Sequence, residues 1–379
     1  MNASTLPSTA KPRLMSLDFL RGLTVASMIL VNNPGDWGHV YPPLEHSKWN
    51  GCTPTDLIFP FFLFMVGVSI VYAMGTRKED PAQHRSILLH AFRRMCLIFG
   101  LGLLLTLIPH FNFTNLRIPG VLQRIAVVFM ICTILFLKTT RRTQIITLGV
   151  LLVGYYLTMT LIPVPGVGEA NLEPGTNLAA WLDYSIFTPA HMWSGTKTWD
   201  PEGILSTIPA VGTGIMGMLT GTWLRRKDRE DGVKISWLFV YGFGAVIAGL
   251  IWDSFFPINK ALWSSSFVLF VGGLACMTLG LCYWLIDVNK RQRFITPFVA
   301  FGRNAITAYV LADFVPEIMG AITFTEDGKP TNLYGSMYNH LFTSWLSPFN
   351  ASLGAAIFLV LLLLIPMWIM YRKNIIVKI

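Results

Sequence analysis

Pro54-Thr55-Asp56-Leu57-Ile58-Phe59-Pro60 opens a run that continues through Phe61, Phe62, Leu63, Phe64 and Met65 to Gly75, and no residue from Leu57 to Gly75 is charged. A helix over residues 54–75 would be about 33 Å long at 1.5 Å per residue, enough to cross a hydrocarbon core of about 30 Å. The run is continuously apolar rather than alternating, so it is not a strand of a closed β-barrel. The composition extends this reading to the whole chain: 53% hydrophobic residues, 13% charged residues and a mean hydropathy of +0.54 in 379 residues exceed what a soluble globular protein carries. Ten apolar spans are expected, at about 17–33, 54–75, 86–108, 119–138, 143–162, 203–224, 234–253, 262–286, 294–315 and 349–371, with eleven as the alternative count. The ninth is interrupted by Arg303, Asn304 and Asp313. The expected fold is an all-α polytopic transmembrane bundle, one integral-membrane domain over 1–379, with external connections at about 33–53, 163–202 and 316–348.

The basic residues set the orientation. Arg21 (with Lys11 and Arg13), Arg77 to Arg94, Lys138 to Arg142, Arg225 to Lys234, Lys290 to Arg293 and Arg372 to Lys378 fall on one set of connections and hold 22 of the 29 Lys and Arg. Basic residues mark the untranslocated side, so both termini are expected in the cytoplasm, as an even number of spans requires. The net charge of +9 is thereby a topology signal, and no nucleic-acid partner is expected. A basic cytoplasmic rim also suits an anionic ligand. Charged Arg13, Asp18 and Arg21 adjoin the first apolar run directly, so that span is expected to act as an uncleaved signal. The five cysteines, Cys52, Cys96, Cys132, Cys276 and Cys282, have neither disulfide-framework nor zinc spacing, and are read as small core residues. The histidines lack ligand spacing, and no metal site is expected.

The chemistry must come from polar groups at or near membrane depth, where each is expensive. Asp18 and Arg21 lie three apart on one helical face and can pair, either as an internal salt bridge or as a cofactor-phosphate contact. Pro34 ends the first span after Asn32 and Asn33, where the amides either cap the chain or face a pocket. His46 lies in Glu45-His46-Ser47-Lys48-Trp49-Asn50-Gly51, between the first two spans, and Asp56 opens the second. Those two span ends must be neighbours, so His46, Asn32 and Asp56 can converge. From spacing alone His46 is either a solvated loop residue or a base or nucleophile. Arg117 and Arg124, seven apart on an outer helix end, are read as structural.

Seven pieces in order carry a family resemblance: Ser16-Leu17-Asp18-Phe19-Leu20-Arg21-Gly22, Val31-Asn32, His46-Ser47-Lys48-Trp49-Asn50-Gly51, Asp56-Leu57-Ile58-Phe59-Pro60, Arg117-Ile118-Pro119-Gly120-Val121-Leu122-Gln123-Arg124, Asp200-Pro201-Glu202-Gly203-Ile204-Leu205 and Asn259-Lys260-Ala261-Leu262-Trp263-Ser264. Together they resemble the heparan-alpha-glucosaminide N-acetyltransferase family and its bacterial transmembrane acyltransferase relatives of the NagX and YeiB type. The resemblance implies transfer of an acetyl group from cytoplasmic acetyl-CoA to a glucosamine amine beyond the membrane. It implies that His46 is the active histidine, as base or acetyl acceptor, with Asn32 its partner and Asp56 beside it. Asp200, Glu202, Asn259, Lys260, Trp263 and Asn50 are then expected to bind the amino sugar, and Arg21, Arg94, Arg303 and Asn304 to meet acetyl-CoA. Animal members carry a further N-terminal luminal part, so the chain is expected to be a compact bacterial version in the inner membrane, and the family precedent suggests a homodimer among membrane lipid. An amino-sugar transporter and an O-acyltransferase of a cell-envelope glycan are the competing classes, because fold does not fix function.

Overall fold

The computed structural model describes residues 14–108, 111–326 and 328–377; Lys11, Arg13, His110 and Lys378 lie outside them. In chain order the helices are α1 (Met15–Asn32), α2 (Ile58–Met74), α3 (Pro81–Leu107), α4 (Val121–Lys138), α5 (Arg141–Leu161), α6 (Leu178–Phe187), α7 (Ile204–Leu224), α8 (Asp231–Asp253), α9 (Ser265–Cys282), α10 (Thr296–Arg303), α11 (Ala305–Ala321), α12 (Leu333–Tyr338) and α13 (Pro348–Arg372). A two-stranded antiparallel hairpin, β1 (Thr323–Glu326) with β2 (Lys329–Asn332), pairs Thr323 with Asn332 and Glu326 with Lys329. A 3₁₀ turn at Pro54–Leu57 leads into α2, and a π-helical segment, Tyr283–Val288, extends α9.

Among the described residues nine helices are long and apolar enough to span a membrane, and α10 with α11 makes a tenth candidate bent by 88°. The ninth expected span, 294–315, is therefore broken rather than straight. At the break Asn304 leaves helical geometry (φ −128°, ψ 44°). Its side-chain amide donates to Ile375 O at 3.0 Å, and its Oδ1 accepts from Val377 N at 2.9 Å. A buried asparagine at a helix break needs such partners. The connections are also more ordered than a loop reading gives: α6 lies within 163–202, while α11, the hairpin and α12 take up much of 316–348.

Apolar surface does not by itself draw helices together in lipid, so the centre is set by small residues and close packing. In α7, 67% of the central stretch is buried, against 17% in α8. Phe243 and Ile251 on α8 and Val150 on α5 point outward, as lipid-facing residues do. Cys132, Cys276 and Cys282 are buried as expected, whereas Cys96 is exposed on α3. The tightest seam lies between α1 and α10. A Cβ on Gly22 would sit 1.6 Å from Phe298 O, and one on Gly302 would sit 1.8 Å from Asp18 O. Only glycine permits that backbone approach, and it brings Asp18 and Arg21 next to Arg303.

Candidate active site

The connection from α1 to α2 folds back on itself around one carboxylate. Thr53 and Asp56 form a capping box at the 3₁₀ turn, in which Asp56 Oδ2 accepts from Thr53 N at 3.0 Å. The same oxygen accepts from Ser47 N at 3.0 Å, and Oδ1 accepts from His46 Nδ1 at 2.7 Å. Asp56 is buried while the His46 side chain is 50% exposed, so a fixed acceptor holds a ring that remains reachable. Because the carboxylate only accepts, the Nδ1 nitrogen carries the proton and Nε2 presents its lone pair.

Lys260 completes the cluster from the connection between α8 and α9. Its Nζ lies 3.0 Å from His46 Nδ1, 3.3 Å from Nε2 and 3.6 Å from Asp56 Oδ1. Since Nδ1–H already points at Asp56, the contact open to a Lys260 N–H is Nε2. Burial pulls the Lys260 ammonium below its ordinary value against the opposing pull of Asp56. Cys52, one residue before the capping box, is pushed up to about 12 by burial and stays an inert thiol.

The turn that carries Lys260 is anchored from below. Gly51 N donates to Ile258 O at 2.7 Å, and Asn259, fully buried, donates to Asn50 Oδ1 at 3.1 Å and accepts from Leu262 N at 2.9 Å. Asn50 and Asn259 thus bind each other. Trp263, at φ +52°, is 1% exposed; its Nε1 donates to Thr213 Oγ1 at 3.1 Å, and its ring meets Phe59 and the Arg124 guanidinium. It offers no free face for stacking. The aromatic surface on this side comes instead from Trp49 and Trp199, with ring centroids 5.1 Å apart, and from exposed Trp193 beside them.

Asp200 and Glu202 are engaged as well. Arg117 donates through Nε and Nη2 to Asp200 at 2.9 and 2.6 Å, and through Nη2 to Glu202 at 2.6 Å. Asp200 also accepts from Trp193 N and Glu202 N, each at 2.9 Å. Burial works against the Arg117 cation, yet the two carboxylates hold its pKa above the ordinary value. The bidentate clamp fastens the connection before α4 to the one before α7. Next to it, burial pushes the Asp183 carboxyl up to about 7. Asn32, at the end of α1, is exposed and makes no side-chain hydrogen bond, to His46 or to any other described residue.

The four residues expected at acetyl-CoA line one cavity. Arg21, Arg94, Arg303 and Asn304 surround a space of about 820 Å³, together with Asp18, Arg77, His90, Tyr309 and an apolar wall including Met28, Phe62, Ile70 and Phe129. Arg21 pairs with Asp18, Arg94 lies over the Phe129 ring at 5.0 Å and Arg303 over Tyr371 at 5.2 Å. Among the described residues the buried Nε groups of Arg21 and Arg303 have no hydrogen-bond partner, which suits an incoming anion. Along α2 the lining runs from Met74 to Phe59, a rise of about 22 Å of helix. Phe59 touches Trp263 and lies one turn beyond Asp56.

The family of heparan-alpha-glucosaminide N-acetyltransferase catalytic regions matches residues 13–250. The human heparan-alpha-glucosaminide N-acetyltransferase is 28% identical over 355 residues, covering 80% of this chain and 53% of its own length, and the mouse protein of the same name is 27% identical over 366 residues, covering 82% and 55%. The chain thus spans about half the length of the curated relatives it matches. The matched region holds His46, Asp56, Arg117 and Asp200, the residues that organise the site from below, and on this match the chain belongs to the heparan-alpha-glucosaminide N-acetyltransferase family.

Proposed function

We propose that the protein is a transmembrane N-acetyltransferase that takes an acetyl group from acetyl-CoA at its basic, cytoplasmic face and delivers it to the amine of glucosamine, or of a glucosamine-containing glycan, on the far side. The observation that carries this reading is the His46–Asp56 pair, in which a buried carboxylate orients an accessible imidazole with Nε2 presented for chemistry. An amine attacks a thioester only as the free base, and Nε2 can take its proton or accept the acetyl group itself. Asp56 offsets the positive charge that forms on the ring in either case.

The arginine-lined cavity supports the donor half. Arg21, Arg94 and Arg303 would meet the phosphates, and the apolar wall along α2 would take the thin pantetheine arm toward Phe59. Asn304 contributes by holding the chain at 375–377 against the cavity. On the acceptor side the partly exposed Lys260 and the half-buried Trp49–Trp199 pair would meet the sugar, whereas Asp200, Glu202, Asn259, Asn50 and Trp263 act by building the floor. Asn32, exposed and with an amide that has no partner among the described residues, is assigned the developing oxyanion or the acceptor. A bacterial inner-membrane location and a homodimer belong to the same proposal; the mass of the protein in detergent tests the second.

Purified protein given acetyl-CoA and glucosamine is expected to release free CoA, and His46→Ala to stop that release while leaving the thermal unfolding midpoint unchanged. Sugar uptake without thioester consumption would make the protein a transporter, and an acetyl product labile to mild alkali would make it an O-acyltransferase.

A further inference from the structure

Lys260 Nζ stands 3.3 Å from His46 Nε2, close enough for Nε2 to take its proton and for Nζ to lie beside an acetyl group delivered to the imidazole. The place an acceptor amine must occupy to reach the proposed acetyl group is therefore already next to an amine of the protein. The Lys260 side chain is 17% exposed, and the 259–264 turn fixes it through Asn259 and the buried Trp263. We propose that Lys260 is a self-acetylation site: without sugar the enzyme transfers the acetyl group to its own Nζ.

The step balances without a further reagent. The neutral Nζ lone pair forms a bond to the carbonyl carbon, and that carbon loses its bond to the CoA sulfur, or to Nε2 where the imidazole has accepted the acetyl first. The proton shed by Nζ passes to Nε2, and CoA leaves as its thiolate. The product is an amide at Lys260, which carries no charge for Asp56 and fills the space beside His46. Burial favours the free-base form the step needs. Lys48, Lys197 and Lys329 are exposed and, unlike Lys260, make no hydrogen bond with His46 among the described residues, so they serve as internal references.

This inference rests on the acetyltransferase reading, and the two fail differently. Full-length protein is incubated with labelled acetyl-CoA and no sugar, and acetylation is mapped by peptide mass spectrometry, alongside an assay of CoA release with glucosamine. Acetylation of Lys260 at least about tenfold above the three reference lysines is expected, together with its loss in His46→Gln and its suppression by saturating glucosamine. CoA release with glucosamine but no excess label on Lys260 would overturn the self-acetylation alone, as would label that persists in His46→Gln or is unmoved by glucosamine. Absence of CoA release under every condition would remove the acetyltransferase reading itself.

Discussion

At one end of the bundle Asp56 and Asp200 each accept several hydrogen bonds and Arg117 is gripped by two carboxylates, whereas at the other Arg21 and Arg303 keep buried Nε–H groups with no partner among the described residues. The Asp56, Asp200 and Arg117 groups are satisfied without a ligand; buried Arg124 beside them also keeps unpartnered Nε and Nη1 groups among the described residues, but only Arg21 and Arg303 present theirs at an open cavity. Groups that must be correctly aimed before reaction have their geometry supplied by the protein, which lowers the cost of organising them during the reaction. On the proposed reading, the arginines that would capture an anion retain hydrogen-bonding capacity and would acquire full satisfaction only on binding.

Several variants would break this contrast. Removing the imidazole in His46→Ala is expected to lower the rate of CoA release by about 10²–10⁴-fold, the range for a general base; a steady-state assay checks it. Asp200→Ala leaves Arg117 with Glu202 alone and is expected to cost about 1–3 kcal/mol of stability, read from thermal unfolding in detergent. Asp56→Asn keeps the size of the side chain but forfeits the charge that faces His46, and a loss of about 100-fold in kcat is expected, with little change in the KM for acetyl-CoA. At the other end Arg21→Gln and Arg303→Gln are each expected to raise that KM about tenfold while kcat is kept. Equal losses in kcat and kcat/KM there would mean that these arginines act on the chemistry and would erase the distinction between the ends.

The smallest effect is a matter of pH. Burial raises Asp183 to about 7 from an ordinary 3.8, so the folded state holds a proton that the unfolded chain releases. Its contribution is present below about 4 and is lost as pH rises toward 7. Asp183→Asn, which keeps an oxygen to accept from Ile204 N, is therefore expected to raise the unfolding midpoint at pH 8 and to leave it unchanged at pH 4. A gain at both values would assign the effect to packing instead.

The span pattern was legible because a run such as 54–75 has only one inexpensive environment. The break at Asn304 was only half legible: a polar residue inside an apolar run signals trouble, but its remedy lies in backbone at Ile375 and Val377, 71 and 73 residues away. The same distance effect hid the work of Asp200 and Glu202, whose acidic character suited a sugar until Arg117, 83 and 85 residues earlier, was found between them. Trp263 was expected at the sugar through the family resemblance alone, and its left-handed φ, which turns the ring into the core, has no sequence mark outside glycine. The His46–Asp56 contact was foreseeable from adjoining span ends, and the Thr53-to-Asp56 spacing of a capping box was the signal that would also have fixed the carboxylate's orientation.

The seam of Gly22 and Gly302 has a consequence for how this sequence can drift. Neither position can accept even a methyl group, because each faces backbone that cannot rotate away, and substituting both together worsens the conflict. The two codons are therefore tied to one another with no compensating route between them. Random mutagenesis of the gene should leave these two positions as bare valleys in a fitness map, while the exposed faces of α5 and α8 tolerate almost any apolar exchange.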